Sequence, residues 1–587
     1  MVHLTKRDLM VEAATWLESF EKALTAGSAT DLATLFVGES FWRDAVAFSQ
    51  SISTTRNAQA IAAQLAELAR TIKPRNFSIN PSRTAPRVVH CANTECLEAI
   101  FSFDTAAGRG EGVLRLVPDD AHSKNSALKS WTLLTALDSL NGHEESLGKA
   151  RPSGEAYSRD FCGPNWLDFR EKSRRYEDRD PAVLVVGGGQ AGLTISARLV
   201  QLGVDTLVID RHKRIGDNWR KRYHALTLHN QLHVNHLPYM PFPPSWPTYI
   251  PKDKLANWFE AYAESMEINY WPATELVSGE YDSEAGHWVV TVKDAADNVR
   301  EMRPRHVVMA TGVSDIPQVP NIPGLENFSG SAIHSSAYTT ADQWVGKRAL
   351  VIGTGNSGHD IAQDLHSNGV AVTLVQRSPT LVVNVEPSAQ LPYALYGEGT
   401  PLEDCDLITT AMPFELARRA HVALTNTAKK MDEALLSRLE SRGFKLDFGD
   451  DGSGWQFKYL SRGGGYYFNV GCSDLIADGE IGLVQWADIE TIGEEGALLK
   501  SGDKVDADLI VLATGFKGPS ELVRHLFGPE VCDRVGPIWG FGDDDELRNM
   551  FTKTPQPGLW FIAGSLAQCR IFSKYLALQI RMAESGL

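Results

Sequence analysis

Two stretches of this chain make the same demand on its fold. "LVVGGGQAG" (Leu184–Gly192) and "LVIGTGNSG" (Leu350–Gly358) each run an apolar strand into a G-x-G-x-x-G turn. A helical pattern and a second apolar strand follow in both, within "AVLVVGGGQAGLTISARLVQLGVDTLVIDRH" and "ALVIGTGNSGHDIAQDLHSNGVAVTLVQRS". Strand, glycine turn, helix and strand in that order form a unit that holds a dinucleotide's pyrophosphate at a helix N-terminus. The spacing gives Gly187 and Gly353 the tight turn, Gly189 and Gly355 the close approach to pyrophosphate, and Gly192 and Gly358 the packing of helix on strand. Gln190 and Ala191, and likewise Asn356 and Ser357, complete the two loops. Such units build parallel sheets buried on both faces, so the fold class is α/β with two Rossmann-like dinucleotide-binding domains.

The two units differ where their second strand ends. The first places Asp210 there, followed by Arg211, and a carboxylate at that point accepts both ribose hydroxyls. The second has Gln376, then Arg377 and Ser378. An acid would repel a 2′-phosphate, whereas Arg can grip one bidentately, so the second site reads as preferring NADPH. The first suits FAD or NAD. Two nicotinamides would have nothing to exchange, while NADPH and FAD form a hydride donor and acceptor.

With 587 residues the chain exceeds one core, and two to four domains are expected. A net charge of −16 argues against nucleic-acid partners and against docking on anionic membranes. No apolar run reaches the ~18 residues of a membrane span. The N-terminal "MVHLTKRDLMVEAATWLESF" carries acids in its would-be apolar region and reads as no signal peptide, and the final "SGL" lacks the Lys of S-K-L. Cytoplasm is the expectation. Seven scattered cysteines with no C-x-x-C fit a reducing compartment and leave no redox dithiol.

Ahead of the first unit, residues 5–24 carry a helical stripe of Leu9, Ala13, Trp16, Leu17, Phe20 and Leu24, and Ser28 or Thr30 can cap a second, short helix. "NAQAIAAQLAELART" is helical, and "CLEAIFSFDT", "GEGVLRLVPD" and "KSWTLLTALDSL" read as strands of a meander. Helices first and a sheet after them mean α+β. That order, with "FWRDAVAF", resembles the NTF2-like (SnoaL-like) cone fold over residues 1–145. The resemblance leaves two readings, a docking or dimerisation module or a small-ligand pocket. The polar, unpatterned stretch after it makes 146–180 a linker.

Further motifs carry a second resemblance. "FSGSAIHSSAYT" (Phe328–Thr339) matches F-x-G-x-x-x-H-x-x-x-Y, with Thr339 where a Lys or Pro is customary. "GDNWR" (Gly216–Arg220), "LPYMPFP" (Leu237–Pro243) and "LATGF" (Leu512–Phe516) follow the same order as in plant YUCCA and animal flavin-containing monooxygenases. From about residue 181 onward the chain therefore resembles the class B flavin monooxygenases. The resemblance implies a FAD-binding domain at 181–320, an inserted NADPH-binding domain at 321–514, and a closing FAD segment at 515–587. It adds Asn218, Trp219, Gly312, Thr514, Gly515 and Gly564 to the cofactor residues, and gives His334 and Tyr338 a catalytic role. In the animal branch an Asn over the flavin holds the reactive adduct, which makes Asn230 or Asn235 its counterpart.

The implied cycle reduces FAD with NADPH, adds O2 at flavin C4a, and passes the distal oxygen to a small organic substrate by N- or S-oxygenation or YUCCA-type oxidation. Baeyer–Villiger oxygenation, plain NADPH oxidation and a nucleotide-loaded redox sensor remain alternatives. His229, His233 and His236 raise zinc as an alternative to packed histidines, but HNQLH lacks the Glu of H-E-x-x-H and no metal is expected. Pairing of two copies through the N-terminal domain is the one protein partnership expected.

Overall fold

The computed structural model of the protein describes residues 8–120, 126–154, 157 and 159–586. Residues 5–7 of the expected first helix, and Leu587 of the C-terminal tripeptide, lie outside them. The first helix, Leu9–Ala26, buries Ala13, Trp16, Leu17, Phe20 and Leu24, begins at an Asp8 cap and ends at Gly27 with φ +61°. Ser28 caps the second helix by accepting from Asp31 N. A third helix, Ala58–Ile72, and a seven-stranded sheet complete this N-terminal unit. In the sheet, Phe36–Ala45 runs parallel to Leu128–Leu140, and every other pairing is antiparallel.

Aromatic rings fill the space between these helices and the sheet. Phe77 stacks on Phe103 with centroids 5.0 Å apart, Trp42 meets Phe48 edge-on, and Phe20 meets Phe77. Gly110 and Gly112 lie where a Cβ would stand 2.2 Å from the rings of Phe103 and Phe101. This unit also makes ion pairs with the rest of the chain. Arg43 pairs bidentately with Glu546, Arg83 with Asp404, and Lys574 with Asp138.

The two glycine units build two parallel five-stranded sheets. The first has the order Asn269–Trp271, Thr206–Ile209, Val183–Val186, His306–Met309, Leu559–Phe561. Val183–Val186 is four buried apolar residues and Thr206–Ile209 is buried throughout, as sheets covered on both faces require. The second has the order Ser331–His334, Leu509–Leu512, Arg348–Ile352, Ala371–Gln376, Gly482–Gln485. The chain thus builds the second sheet before returning through Leu559–Phe561 to finish the first.

One expectation is corrected. The stretch read as linker contains a helix, Trp166–Arg175, closed by an Asn165–Asp168 capping box. It docks through polar groups: Arg170 donates to Asn269 Oδ1 at 2.9 Å, and the Tyr176 hydroxyl following it donates to Asp205 at 2.7 Å. A helix held by hydrogen bonds has no apolar stripe to announce it. Among the described residues no helix is long and apolar enough to cross a membrane.

The filled N-terminal interior can be probed at Gly112, whose Cβ would also stand 2.3 Å from Leu134 O. Overpacking of a buried sheet costs about 1–3 kcal/mol. Gly112→Ala should therefore lower the thermal transition of this unit in scanning calorimetry. An unchanged profile would mean that the ring cluster has room to yield.

Candidate nucleotide sites and the seam between them

At the first loop the backbone leaves no room for side chains. Gly187 has φ +103°, and a Cβ on it would approach Ala310 O to 2.7 Å; on Gly192 it would stand 1.9 Å from Gly187 O. Close contact of helix with strand is what glycine permits here. Gly189 opens the helix Gln190–Gln201 without a side-chain cap, so its first amides remain available to an anion. Ala191 packs beneath it, buried.

Asn218 faces this cradle: its Nδ2 lies 2.8 Å from where a Gly189 Cβ would be, and its buried Oδ1 has no hydrogen-bond partner. An orphaned buried amide oxygen beside free helix amides fits a bound nucleotide. Asp210 is buried and accepts from Gly188 N at 2.6 Å and His212 N at 2.7 Å. Each carboxylate oxygen keeps further acceptor capacity for a ribose hydroxyl. Gln190 links two other expected residues, donating to Gly564 O at 3.1 Å and accepting from Trp219 Nε1 at 3.2 Å. Arg211 points instead to Asp315, 2.8 Å away on the exposed side, and Gly312 turns nearby with φ +79°.

The second loop repeats the construction. A Cβ on Gly353 would lie 2.2 Å from Ala513 O, and one on Gly358 2.0 Å from Gly353 O. Gly355 is different, with nothing closer to a Cβ than Tyr466 O at 4.0 Å. Its surface is open, as a glycine kept for a ligand would be. Asn356 Oδ1 accepts from Phe468 N at 3.1 Å, binding the loop to the strand Tyr466–Asn469, and Ser357 sits half-buried beside it. Gln376 is fully buried, exchanging hydrogen bonds with Lys445 backbone N and O and accepting from Gln485 Nε2. Arg377 and Ser378 are exposed, and Arg377 has no ion pair among the described residues.

Between the loops, the fingerprint histidine ties two crossings of the chain together. His334 Nε2 donates to Gly515 O at 3.0 Å, while its Nδ1 accepts from Ser336 N at 3.1 Å, and burial lowers its pKa. The neutral Nε2–H tautomer satisfies both bonds. Thr514 Oγ1 donates to Gln318 O at 2.5 Å in the same crossing.

Tyr338, expected to be catalytic, is 2% exposed, and its hydroxyl donates to Asp364 Oδ2 at 2.5 Å. Tyr223 makes the same bond to Asp360. Both carboxylates sit on the second loop's helix, Asn356–Ser367, one turn apart, so Tyr338 is a clasp on that helix. The i, i+4 pair Asp360 and Asp364 is the signal sequence reading passed over.

Asn235 is 1% exposed, and its Nδ2 donates to the backbone oxygens of Asn230 and Gln231. Asn230 is the half-buried member of the pair, donating to the Tyr393 hydroxyl at 3.2 Å. Of the histidines, His229 lies edge-on to Phe468 and His236 Nδ1 accepts from Phe242 N. Among the described residues no cluster of three or more His, Cys, Asp or Glu could hold a metal ion.

The pyridine nucleotide-disulphide oxidoreductase family matches residues 184–394. The chain has no C-x-x-C and all its cysteines are free, so the disulphide half of that name has no counterpart here. Indole-3-pyruvate monooxygenase YUCCA1 of Oryza sativa subsp. japonica is 29% identical over 385 residues, covering 63% of this chain and 86% of the relative. Probable indole-3-pyruvate monooxygenase YUCCA1 of Arabidopsis thaliana is 28% identical over 379 residues, covering 64% and 81%. Among solved structures, closed cyclohexanone monooxygenase superposes with a TM-score of 0.52 at 18% identity, covering 69% of this chain and 85% of that one. Cyclohexanone monooxygenase from Rhodococcus sp. Phi1 bound to NADP+ gives 0.50 at 17%, covering 69% and 85%. At those identities the structures speak for the fold alone, two dinucleotide-binding units in one chain. The sequence relatives, named as indole-3-pyruvate monooxygenases, are matched along most of their own length, and over 63–64% of its residues this chain is similar to them.

Proposed function

We propose that residues 181–320 and 515–587 hold FAD, that 321–514 hold NADPH, and that 1–145 dock on both through a connector at 146–180. The overall reaction passes one oxygen atom of O2 to a small organic substrate and reduces the other to water at the expense of NADPH. Bound FAD would supply the two-electron acceptor for hydride and the site where oxygen is activated. The asymmetry of the two cradles carries the assignment: a buried acid, Asp210, ends the first, and an exposed cation without an ion pair among the described residues, Arg377, ends the second.

The chain's own residues bind, orient and exclude water. Helix amides at Gly189 and Gly355 take the pyrophosphates, Asp210 the unphosphorylated ribose, and Arg377 with Ser378 the 2′-phosphate. His334 fixes the crossing at Gly515, and Tyr223 and Tyr338 fix the second loop's helix. Asn230 offers an amide to the reacting end of the flavin, in a setting of Phe468 and Tyr393 that keeps water out. We also read this as a cytoplasmic enzyme whose copies pair through the N-terminal domain, where Met10 and Val11 stand exposed. Light scattering measures that pairing.

Product analysis with NADPH and three probes tests the reaction. Methyl phenyl sulfide converted to its sulfoxide supports heteroatom oxygenation, and turnover of indole-3-pyruvate supports the activity named for the plant relatives. Lactone from cyclohexanone supports the Baeyer–Villiger alternative. Hydrogen peroxide as the sole product, or no NADPH consumption, would sink the oxygenase reading.

Two substitutions test the cofactor sites. Arg377→Ala should cost about 1.5–3 kcal/mol in NADPH affinity, the range for a charge-assisted bond, and little for NADH. Equal losses for both cofactors would remove Arg377 from the phosphate site. Gly355→Val should leave the melting temperature unchanged, since its Cβ meets no atom within van der Waals contact, yet slow flavin reduction by NADPH while FAD stays bound. Normal reduction by that variant would show that the pyrophosphate lies elsewhere.

A further inference from the structure

The segment that carries Asn230 and Asn235 has little regular structure of its own. The short strand Thr227–Gln231 pairs with Tyr249–Pro251 at Thr227 and Gln231, and a single turn, Leu232–Val234, follows it. Its shape has to be imposed by neighbours, and two charged clusters grip it.

The first centres on Arg570, buried on the C-terminal helix Leu566–Ser585. Its Nη1 donates to Val234 O at 2.8 Å and to His236 O at 2.9 Å, the two carbonyls that flank Asn235. Its Nε and Nη2 grip Asp406 bidentately at 2.8 and 2.7 Å. Four of the five guanidinium N–H groups are thereby used, which is what makes a buried cation tolerable. A planar fork does this where an ammonium could not. Asn235 passes the grip on, since its Nδ2 donates to Asn230 O at 2.9 Å and Gln231 O at 3.1 Å. Burial first, and the Arg570 cation next, push the pKa of His236 down to about 4, so its neutral ring accepts from Phe242 N at 2.9 Å.

The counterion is itself anchored from the N-terminal domain. Asp406 lies on the helix Leu402–Thr410. Asp404 of the same helix is 1% exposed and accepts from Thr84 N at 2.8 Å, Thr84 Oγ1 at 2.5 Å and Arg83 Nη1 at 3.1 Å.

The second cluster holds the far end of the segment. Tyr239 has φ +64°, a left-handed conformation that a bulky residue keeps only where its surroundings impose it. Its hydroxyl donates to Glu145, a few residues past the last strand of the N-terminal sheet. Arg198, on the first loop's helix, pairs with Glu145 at 3.3 Å and lies 4.7 Å over the Tyr239 ring.

We propose, on the flavin monooxygenase reading, that Arg570 and its counterion Asp406 are positioning residues for the reaction. They fix the peptide carbonyls on both sides of Asn235 and so set the asparagine amides offered to the flavin, while Glu145 holds the same segment at Tyr239. The N-terminal domain thereby takes part in shaping the flavin's surroundings.

The test uses the full-length FAD-loaded enzyme. Three quantities are read: amide exchange in 227–243, the visible circular dichroism of bound FAD, and the share of consumed NADPH recovered as methyl phenyl sulfoxide rather than hydrogen peroxide. In R570M/D406N, which removes both charges together, exchange in 230–236 should speed about tenfold, as loss of a charge-assisted bond predicts. The dichroism should change about twofold in intensity and the sulfoxide share should fall about threefold or more, since small misplacements are costly in rate. Arg570→Lys keeps the charge but loses the fork. It should move the three readings the same way by less, and it decides the question if the double variant does not fold. Tyr239→Phe should speed exchange in 237–243. Readings equal to the parent's in the Arg570 variants would overturn the positioning role. Faster exchange with unchanged dichroism and sulfoxide share would overturn it too, because a merely structural clamp behaves that way. A parent that forms no sulfoxide would count against heteroatom oxygenation instead, and dichroism with exchange still decides whether the clamp sets the flavin's surroundings.

Discussion

A carbonyl oxygen close to where a Cβ would stand governs both nucleotide sites. At Gly192 and Gly358 that separation is 1.9 and 2.0 Å, and the oxygen belongs to the first glycine of the same loop. Helix and strand can meet so tightly only without side chains, and that meeting aims the helix amides at one point in space. Everything that distinguishes the sites is added around this shared constraint. The open face of Gly355 leaves space for a ligand, whereas the orphaned oxygen of Asn218 leaves a bond to be made.

The two units also differ electrostatically where their second strands end. Asp210 is held by two backbone amides, which stabilise a buried carboxylate at that point of the first unit. At the corresponding point of the second site Gln376 turns inward to Lys445 and Gln485, so its carboxamide serves the core and the next residue, Arg377, meets solvent. One changed side chain therefore alters both the charge at the rim and the packing beneath it.

The glycine loops, their strands and the difference between Asp210 and Arg377 were legible in sequence because local spacing encodes them. Ring-filled packing in the N-terminal unit was not, since it depends on glycines and phenylalanines meeting across strands. The Tyr223–Asp360 and Tyr338–Asp364 bonds join residues far apart in the chain, and no period announces such pairs. The same holds for Arg43, whose partner Glu546 lies near the other end of the sequence. Spacing singled out Tyr338 but could not show its bond to Asp364. The helix Trp166–Arg175 escaped because hydrogen bonds rather than apolar contacts hold it.

The order of strands in the first sheet has a consequence in time. His306–Met309 pairs on one side with Val183–Val186 and on the other with Leu559–Phe561. During synthesis the second partner emerges some 250 residues after the strand that awaits it. At about 5–20 residues per second that is a delay of roughly 12–50 s. Through that interval a buried strand of the finished protein is an unpaired edge, the feature most prone to pairing with a foreign chain. The second sheet, whose first and last strands in the chain, Ser331–His334 and Leu509–Leu512, pair with each other, completes itself inside that window. For a newborn chain the second sheet is therefore complete first, and the first must stay clear of aggregation until its last strand arrives.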